Sequence, residues 1–358
     1  MTAYRVALIG TGGIAGAHMS ALKEMKERVQ VVAAVDIDRD RVEAFCAKYA
    51  IPHAYTNEVA MLAAEQPDLV HIATPPGIHH RQIMRCLEAG AWVLCEKPLC
   101  LGLAQLDEIS RTEKLTGKYC SSVVQWRFGS GAQHLKQLIQ EQAMGRQLVG
   151  LCQTTWYRDQ AYYAVPWRGK WATEGGGTTM GHGIHAMDLF LWLLGEWEEI
   201  SAMSGTLDRA IEVDDVSMAI VRFQNGALGS IVNSVLSPRQ QTYLRFDFQK
   251  ATVELSGLYG YSNQNWRYSI PEKSSDEAAL ARWRAIPSDI PSSHHAQLAV
   301  LLDRMDRNER PPASTIDVRP TLEGITALYK SSATGARVQR GSIVQDDPYY
   351  WHVAGQAL

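Results

Sequence analysis

The strongest constraint on the fold is a short apolar run, Arg5 to Ile9, that discharges into Gly10-Thr11-Gly12-Gly13-Ile14-Ala15-Gly16. Ile14, His18, Ala21, Leu22 and Met25 then recur at helical spacing, so the glycines stand between a strand and a helix N-terminus. In that setting Gly10 permits a tight turn and Gly12 removes the side chain that would hold a pyrophosphate off the backbone. The helix amides and dipole complete an anion site. Ala15 takes the third small position in place of a glycine.

Three further apolar runs end in polar residues. Val31 to Val35 closes in Asp36, about 20 residues beyond the glycines, the spacing at which a carboxylate accepts the adenosine ribose hydroxyls. A 2′-phosphate there meets like charge, so Asp36 favours NAD over NADP, although Arg39 and Arg41 stand nearby. A helix N-cap or turn is the other reading of Asp36. Leu69 to Ala73 closes in Thr74-Pro75-Pro76-Gly77, with His79 on the first turn of the next helix, and Val93 to Cys95 ends in Glu96-Lys97-Pro98. Strands alternating with helices mean a doubly wound parallel sheet, whose carboxyl ends form the ligand crevice. A lysine at that edge faces whatever binds there; alternatively, Glu96 and Lys97 are the polar lip of a strand stopped by Pro98.

The 358 residues suit two domains, and a formal net charge of -3 gives no global attraction to nucleic acid or an anionic membrane. No apolar stretch reaches the roughly 18 residues of a membrane span, and the start of the chain carries no signal-peptide pattern. Six dispersed cysteines without a CxxC pair read as reduced core thiols in a cytoplasmic protein.

A strand from Tyr119 to Val124 leads into Gln125-Trp126-Arg127-Phe128, which places the domain boundary between 124 and 125. Residues 1–124 form the nucleotide-binding domain, and 125–358 the substrate-binding and oligomerisation domain. Arg127 is either a ligand contact or a structural ion-pair partner. The segment from Tyr162 and Tyr163 through Trp167, Arg168 and Trp171 is aromatic and irregular, as expected of a ligand lid, or of a cluster that holds a loop down. His182, His185 and Asp188 are three apart and share one side of a helix. A metal is not expected on them: three-residue steps drift by ~60° on a regular helix, and no fourth ligand is evident. Beyond them strands dominate, over 200–207, 216–223, 227–236 and 243–248, with Gln224-Asn225-Gly226 as a hairpin turn. A helix from Ser292 to Met305 returns to the core, and a final amphipathic helix covers Thr321 to Thr334.

The order GTGGIAG, Asp36, ATPPGIHH and CEKPL, followed by Trp-Arg-Gly-x-Trp, a triple glycine and His185, resembles the Gfo/Idh/MocA family, relatives of glucose-fructose oxidoreductase and inositol dehydrogenase. The resemblance runs from Arg5 to about Val338. It implies a Rossmann domain for NAD, followed by an α/β domain with a large open, mainly antiparallel sheet whose free face is covered by another subunit in a dimer or tetramer. It implies an oxidoreductase acting on a secondary alcohol of a sugar, cyclitol or polyol. Lys97 and His185 become catalytic and substrate-contacting residues, and Trp167 and Arg168 become cofactor contacts. The expected cofactor shell is completed by Gly10, Thr11, Gly12, Gly13, Ile14, Asp36, Thr74, Pro75, His79, Glu96, Lys97 and Gln125, and the substrate shell by Arg127, Tyr163 and His182. One departure stands out: many relatives carry Asp or Asn four residues before the histidine, and this chain has Gly181. Either His182 takes up part of the catalytic work from the neighbouring position, or the chemistry rests on Lys97 and His185 alone. A redox-cycling glycosidase and a noncatalytic NAD sensor are the alternative readings.

Overall fold

Apolar runs buried on both faces dictate parallel pairing with helical crossovers. In the computed structural model, which describes residues 3–273 and 276–356, they do so in the order β1 (Tyr4–Ile9), α1 (Ala15–Glu24), β2 (Val29–Val35), α2 (Arg39–Tyr49), β3 (His53–Tyr55), α3 (Glu58–Glu65), β4 (Leu69–Ile72), α4 (His79–Glu88), β5 (Trp92–Cys95), α5 (Leu103–Thr116) and β6 (Cys120–Ser122). The six strands lie in the order β3-β2-β1-β4-β5-β6, all parallel. Strand order therefore reverses between β1 and β4, and there the sheet edge opens for a ligand. Gly10 sits at that point with φ +95°, and a Cβ on it would lie 2.7 Å from the Ala73 carbonyl group. Only glycine fits.

The second body begins with α6 (Ser130–Gln140), β7 (Gln147–Tyr157), α7 (Trp171–Glu174) and α8 (Ile184–Leu194), and continues through β8 (Trp197–Gly205), β9 (Val216–Phe223), β10 (Leu228–Ser234), β11 (Leu236–Phe248), β12 (Thr252–Gly257), β13 (Trp266–Ser269) and α9 (Glu277–Arg284). Two long helices, α10 (His294–Arg307) and α11 (Thr315–Thr334), precede the short β14 (Val338–Gln339). The eight strands run β13-β12-β11-β7-β10-β9-β8-β14, antiparallel except for the parallel β7–β10 pair. The 224–226 turn is the hairpin expected, with Gly226 at φ +87°. One long strand, β11, replaces the separate run expected from Tyr243.

Helix α8 fits closely onto this sheet. A Cβ on Gly150 would lie 2.4 Å from Leu194, and one on Gly229 2.9 Å from Phe190, so two strand glycines make the groove that receives it. The opposite side of the sheet exposes Met203, Met218, Ile220 and Leu228.

The chain divides into two units, one reaching Val123 and adding Gln297–Arg319, the other comprising Val124–Ala296 and the chain from Pro320 onward. Within the stretch 125–358, read as the second domain, Gln297–Arg319 belongs to the first unit. The stripe Leu298, Leu301, Leu302 and Met305 on α10 packs into the same core as Val6, Leu8, Leu22 and Leu94. A helical apolar stripe shows that it needs a core, but not which one.

Leu302 is fully buried. Leu302→Ala is expected to lower unfolding free energy by about 2–5 kcal/mol, read from the denaturant midpoint; a loss within experimental error would mean that α10 is not a core element.

Candidate active site

The glycine turn presents backbone rather than side chains. A Cβ on Gly12 or Gly13 meets no atom within 4 Å, and no side chain caps the N-terminus of α1 at Ile14. A pyrophosphate fits such a cradle: open glycine backbone leading to an uncapped helix start. Thr11 turns its donors elsewhere. Its N–H (3.0 Å) and hydroxyl (2.8 Å) both go to Asp36 Oδ2, which leaves Oδ1 to the Asp38 N–H at 3.1 Å and Arg41 at 3.4 Å. Burial alone would push the Asp36 carboxyl up, but the Thr11 and Asp38 hydrogen bonds, with Arg41 beside them, hold it below the ordinary carboxylate value. Neither arginine near Asp36 is a loose cation: Arg41 also pairs with Asp38 at 2.9 Å, and Arg39 with Glu43 at 3.4 Å. The Asp36 site therefore stays anionic and suits ribose hydroxyls better than a phosphate.

The tips of β4 and β5 are tied together. The Thr74 hydroxyl donates to Gln82 at 2.6 Å, and His79 holds its ring nitrogens 2.8 Å from the carbonyl oxygens of Thr74 and Pro98. Burial pushes the His79 imidazole down, against those two carbonyls. Its polar atoms thus brace two strand ends. Pro75 is half-buried beside Thr74, and Lys97 is half-buried at the tip of β5. Glu96 turns inward. Its carboxylate lies 3.2 Å from His18 Nε2 and accepts the Lys97 N–H at 3.3 Å, while His18 Nδ1 lies 3.0 Å from His71 Nδ1. Behind the lysine, then, two buried histidines and a glutamate form a continuous polar chain.

In the second unit Arg127 and Asp188 form a buried two-point ion pair, Nε to Oδ2 at 2.6 Å and Nη2 to Oδ1 at 2.5 Å, and Thr321 donates to Oδ1 at 2.8 Å. Of the two readings of Arg127, the ion-pair partner is the one the structure shows. Asp188 is likewise committed and completes no ligand set with the histidines. Nor do these residues lie on one regular helix: Thr179–Gly183 is a π-turn that passes into α8, an irregularity frequent at functional sites. His185 and Gly181 are half-buried there, and His182 is buried.

His182 is gripped by groups that sequence reading missed. Its Nε2 accepts from Arg158 Nε at 3.3 Å, and its ring packs edge-on to Trp156. The Arg158 guanidinium lies 5.0–5.7 Å from the ring centres of Trp156, Tyr162 and Tyr259. The signal was the alternation of buried Cys152, Thr154 and Trp156 along β7, which carries Arg158 onto the same face one step later. Arg168 stacks on Tyr162 and Trp167, bonds to the Tyr162 hydroxyl and lies 3.9 Å from Glu174. Burial lowers the Arg168 guanidinium pKa, against the attraction of Glu174. Glu174 is also buried and accepts the Gly169 N–H at 2.6 Å. Among the described residues, the Tyr163 hydroxyl and Gln125 Oε1 are buried without a hydrogen-bond partner. Burial, with Glu174, Asp214 and Asp215 nearby, pushes the Tyr163 phenol up, so it remains a donor.

Two family models match the chain. The oxidoreductase family, NAD-binding Rossmann fold, covers residues 4–123, and the GFO/IDH/MocA C-terminal domain covers residues 132–254. D-glucoside 3-dehydrogenase of Escherichia coli is 25% identical over 94% of this chain and 97% of its own. Myo-inositol 2-dehydrogenase of Thermotoga maritima is 29% identical over 64% and 68%. The WlbA dehydrogenase of Bordetella pertussis, solved with NADH and UDP-GlcNAcA, superposes with a TM-score of 0.84 at 26% identity, covering 95% of this chain and 98% of that one.

Because the Asp36 carboxyl is held low, the interactions it makes are complete above the ordinary carboxylate pKa of about 4 and are lost only as pH falls through the lowered value. NAD affinity, followed by fluorescence titration, is expected to stay flat from pH 8 to about 5. Asp36→Ala is expected to reduce the preference for NAD over NADP by about tenfold or more; an unchanged ratio would remove Asp36 from the ribose site.

Proposed function

The chain belongs to the Gfo/Idh/MocA family of NAD-binding oxidoreductases, and on that premise we propose that it interconverts a secondary alcohol and a ketone on a sugar, cyclitol or related polyol. The observation that carries the reading is the half-buried Lys97 on the strand edge that also holds the glycine turn, Asp36 and Thr74. The relatives named above act, by their names, on a glucoside and on an inositol.

When bound, NAD supplies the two-electron hydride acceptor. Gly12, Gly13 and Ile14 offer backbone to its pyrophosphate, and Asp36 accepts its ribose hydroxyls. Lys97 polarises the substrate oxygen and stabilises negative charge as it develops, an effect worth several kcal/mol in a dry site. His185 takes the hydroxyl proton as general base. Tyr163 and Gln125, with buried polar atoms left unpaired, are the natural polar contacts for substrate and nicotinamide amide. By the family resemblance, Trp167 and Arg168 would contact the cofactor and His182, held by Arg158, the substrate.

The apolar outer face of the large sheet supports a homo-oligomer, with Met203, Met218, Ile220 and Leu228 at its interface. Six buried free thiols support a cytoplasmic protein, and no helix among the described residues is long and apolar enough to cross a membrane.

Purified protein screened against sugars and cyclitols is expected to form NADH stoichiometrically with product; aglycone release without net NADH would instead mean a redox-cycling glycosidase, and binding alone a sensor. Lys97→Ala and His185→Ala are each expected to lower turnover about 100-fold or more, and near-normal rates in both would sink the mechanism. Ile220→Glu is expected to give a smaller species in light scattering after size-exclusion chromatography; an unchanged mass would rule out this face.

A further inference from the structure

We propose that Glu174 is a positioning residue for His185, supplying from the preceding segment the buried carboxylate that position 181 lacks. The proposal rests on His185 being the general base. A Cβ built on Gly181 would lie 3.2 Å from Glu174 Oε1, and beyond its own turn that carboxylate is what it would meet. The space beside the glycine is therefore lined by an acid from elsewhere in the chain. Position 181 lies in the π-turn Thr179–Gly183, which passes directly into α8, the helix that carries His185 in its first turn. The buried Glu174 carboxylate thus borders the turn that leads into the His185 helix, in a setting where salt screens poorly.

Glu174 is anchored well enough to act from there. It is 4% exposed, and its Oε2 accepts the Gly169 N–H at 2.6 Å while Oε1 faces Gly181. The neighbouring charges do not duplicate it. Arg168 lies 3.9 Å away and Arg158 is spent on His182; Asp188 is locked onto Arg127, and Asp214 accepts from Thr179, Tyr329 and Gly177. The Tyr163 and Tyr329 phenols, both pushed up by burial, stay neutral. Glu174 is thus the carboxylate placed to favour the imidazolium that forms when His185 takes a proton.

The same geometry makes positions 174 and 181 exclusive. An aspartate at 181 would press a second carboxylate against the first, whereas with glutamine at 174 that aspartate would find an amide to meet.

The test is a carboxylate transplant in the full-length protein. Glu174→Gln, which keeps an acceptor for Gly169, is expected to lower kcat/KM about tenfold or more. It should also move the ascending limb of its pH profile to lower pH, because an imidazole without its anion loses its proton more easily. Glu174→Asp should hold the limb near its original place. Gly181→Asp alone should be impaired, and Gly181→Asp combined with Glu174→Gln should recover both rate and limb. Independently of activity, the His185 imidazole titration, followed by NMR and assigned with His185→Gln, should fall in Glu174→Gln and return in the double variant. An unshifted His185 titration, or a double variant no better than either single one, would overturn the proposal. If the titration shifts as expected but no alcohol is oxidised, the dehydrogenase reading fails while the electrostatic link between Glu174 and His185 stands.

Discussion

Beside Gly10 the ends of β1 and β4 come so close that no side chain can stand between them, and much of the first unit follows from that contact. Because strand order reverses there, the helices after the two strands leave toward opposite faces, and the sheet edge is left open. Asp36, one strand to one side, and Lys97, on the second strand to the other, reach that edge because each ends its strand at the carboxyl side. The aspartate is then set by Thr11, the residue next to the glycine, so one turn of backbone both admits a pyrophosphate and aims the carboxylate.

Buried charge in the second unit is arranged on a different plan. Arg127 and Asp188 satisfy one another at two points, with Thr321 on a remaining lone pair, which is the condition under which a desolvated pair is tolerated. Asp214 is held without a cation. It accepts from the Gly177 and Thr179 amides and the hydroxyls of Thr179 and Tyr329, while burial pushes its carboxyl up. A Cβ on Gly177 would lie 1.8 Å from the Asp214 carbonyl oxygen, so the triple glycine exists to let these two backbones touch. The histidine-bearing turn thus starts from a neutral or anionic knot and ends on an ion pair.

The first unit was legible because its signals are local: a run of apolar residues followed by a polar tip states both the strand and the end at which it meets ligand. The hairpin at 224–226 was equally plain. What the sequence concealed was long-range. Leu298 and Met305 mark a helix face without saying that it belongs to the first core, and Arg127 beside a strand end reads alike as ligand contact or ion-pair partner until Asp188, 61 residues on, is seen to meet it. His79 looked like a ligand residue because it follows a strand tip, yet its ring bridges two carbonyls. Even spacing was misleading at His182 and His185, since a π-turn alters the period that places them.

Helix α8, seated in the groove left by Gly150 and Gly229, leaves His185 on a rigid mount. Its neighbour, the irregular stretch of tyrosine, tryptophan and arginine from 162 to 171, is fastened by side-chain stacking and by the carboxylates of Asp159, Glu174 and Glu212 on its backbone. The two therefore differ in mechanical character: His185 is borne by packed secondary structure, and the aromatic segment mainly by side-chain contacts. Substitutions in that segment would reshape the surroundings of the histidine-bearing turn while leaving the mount of His185 where it is.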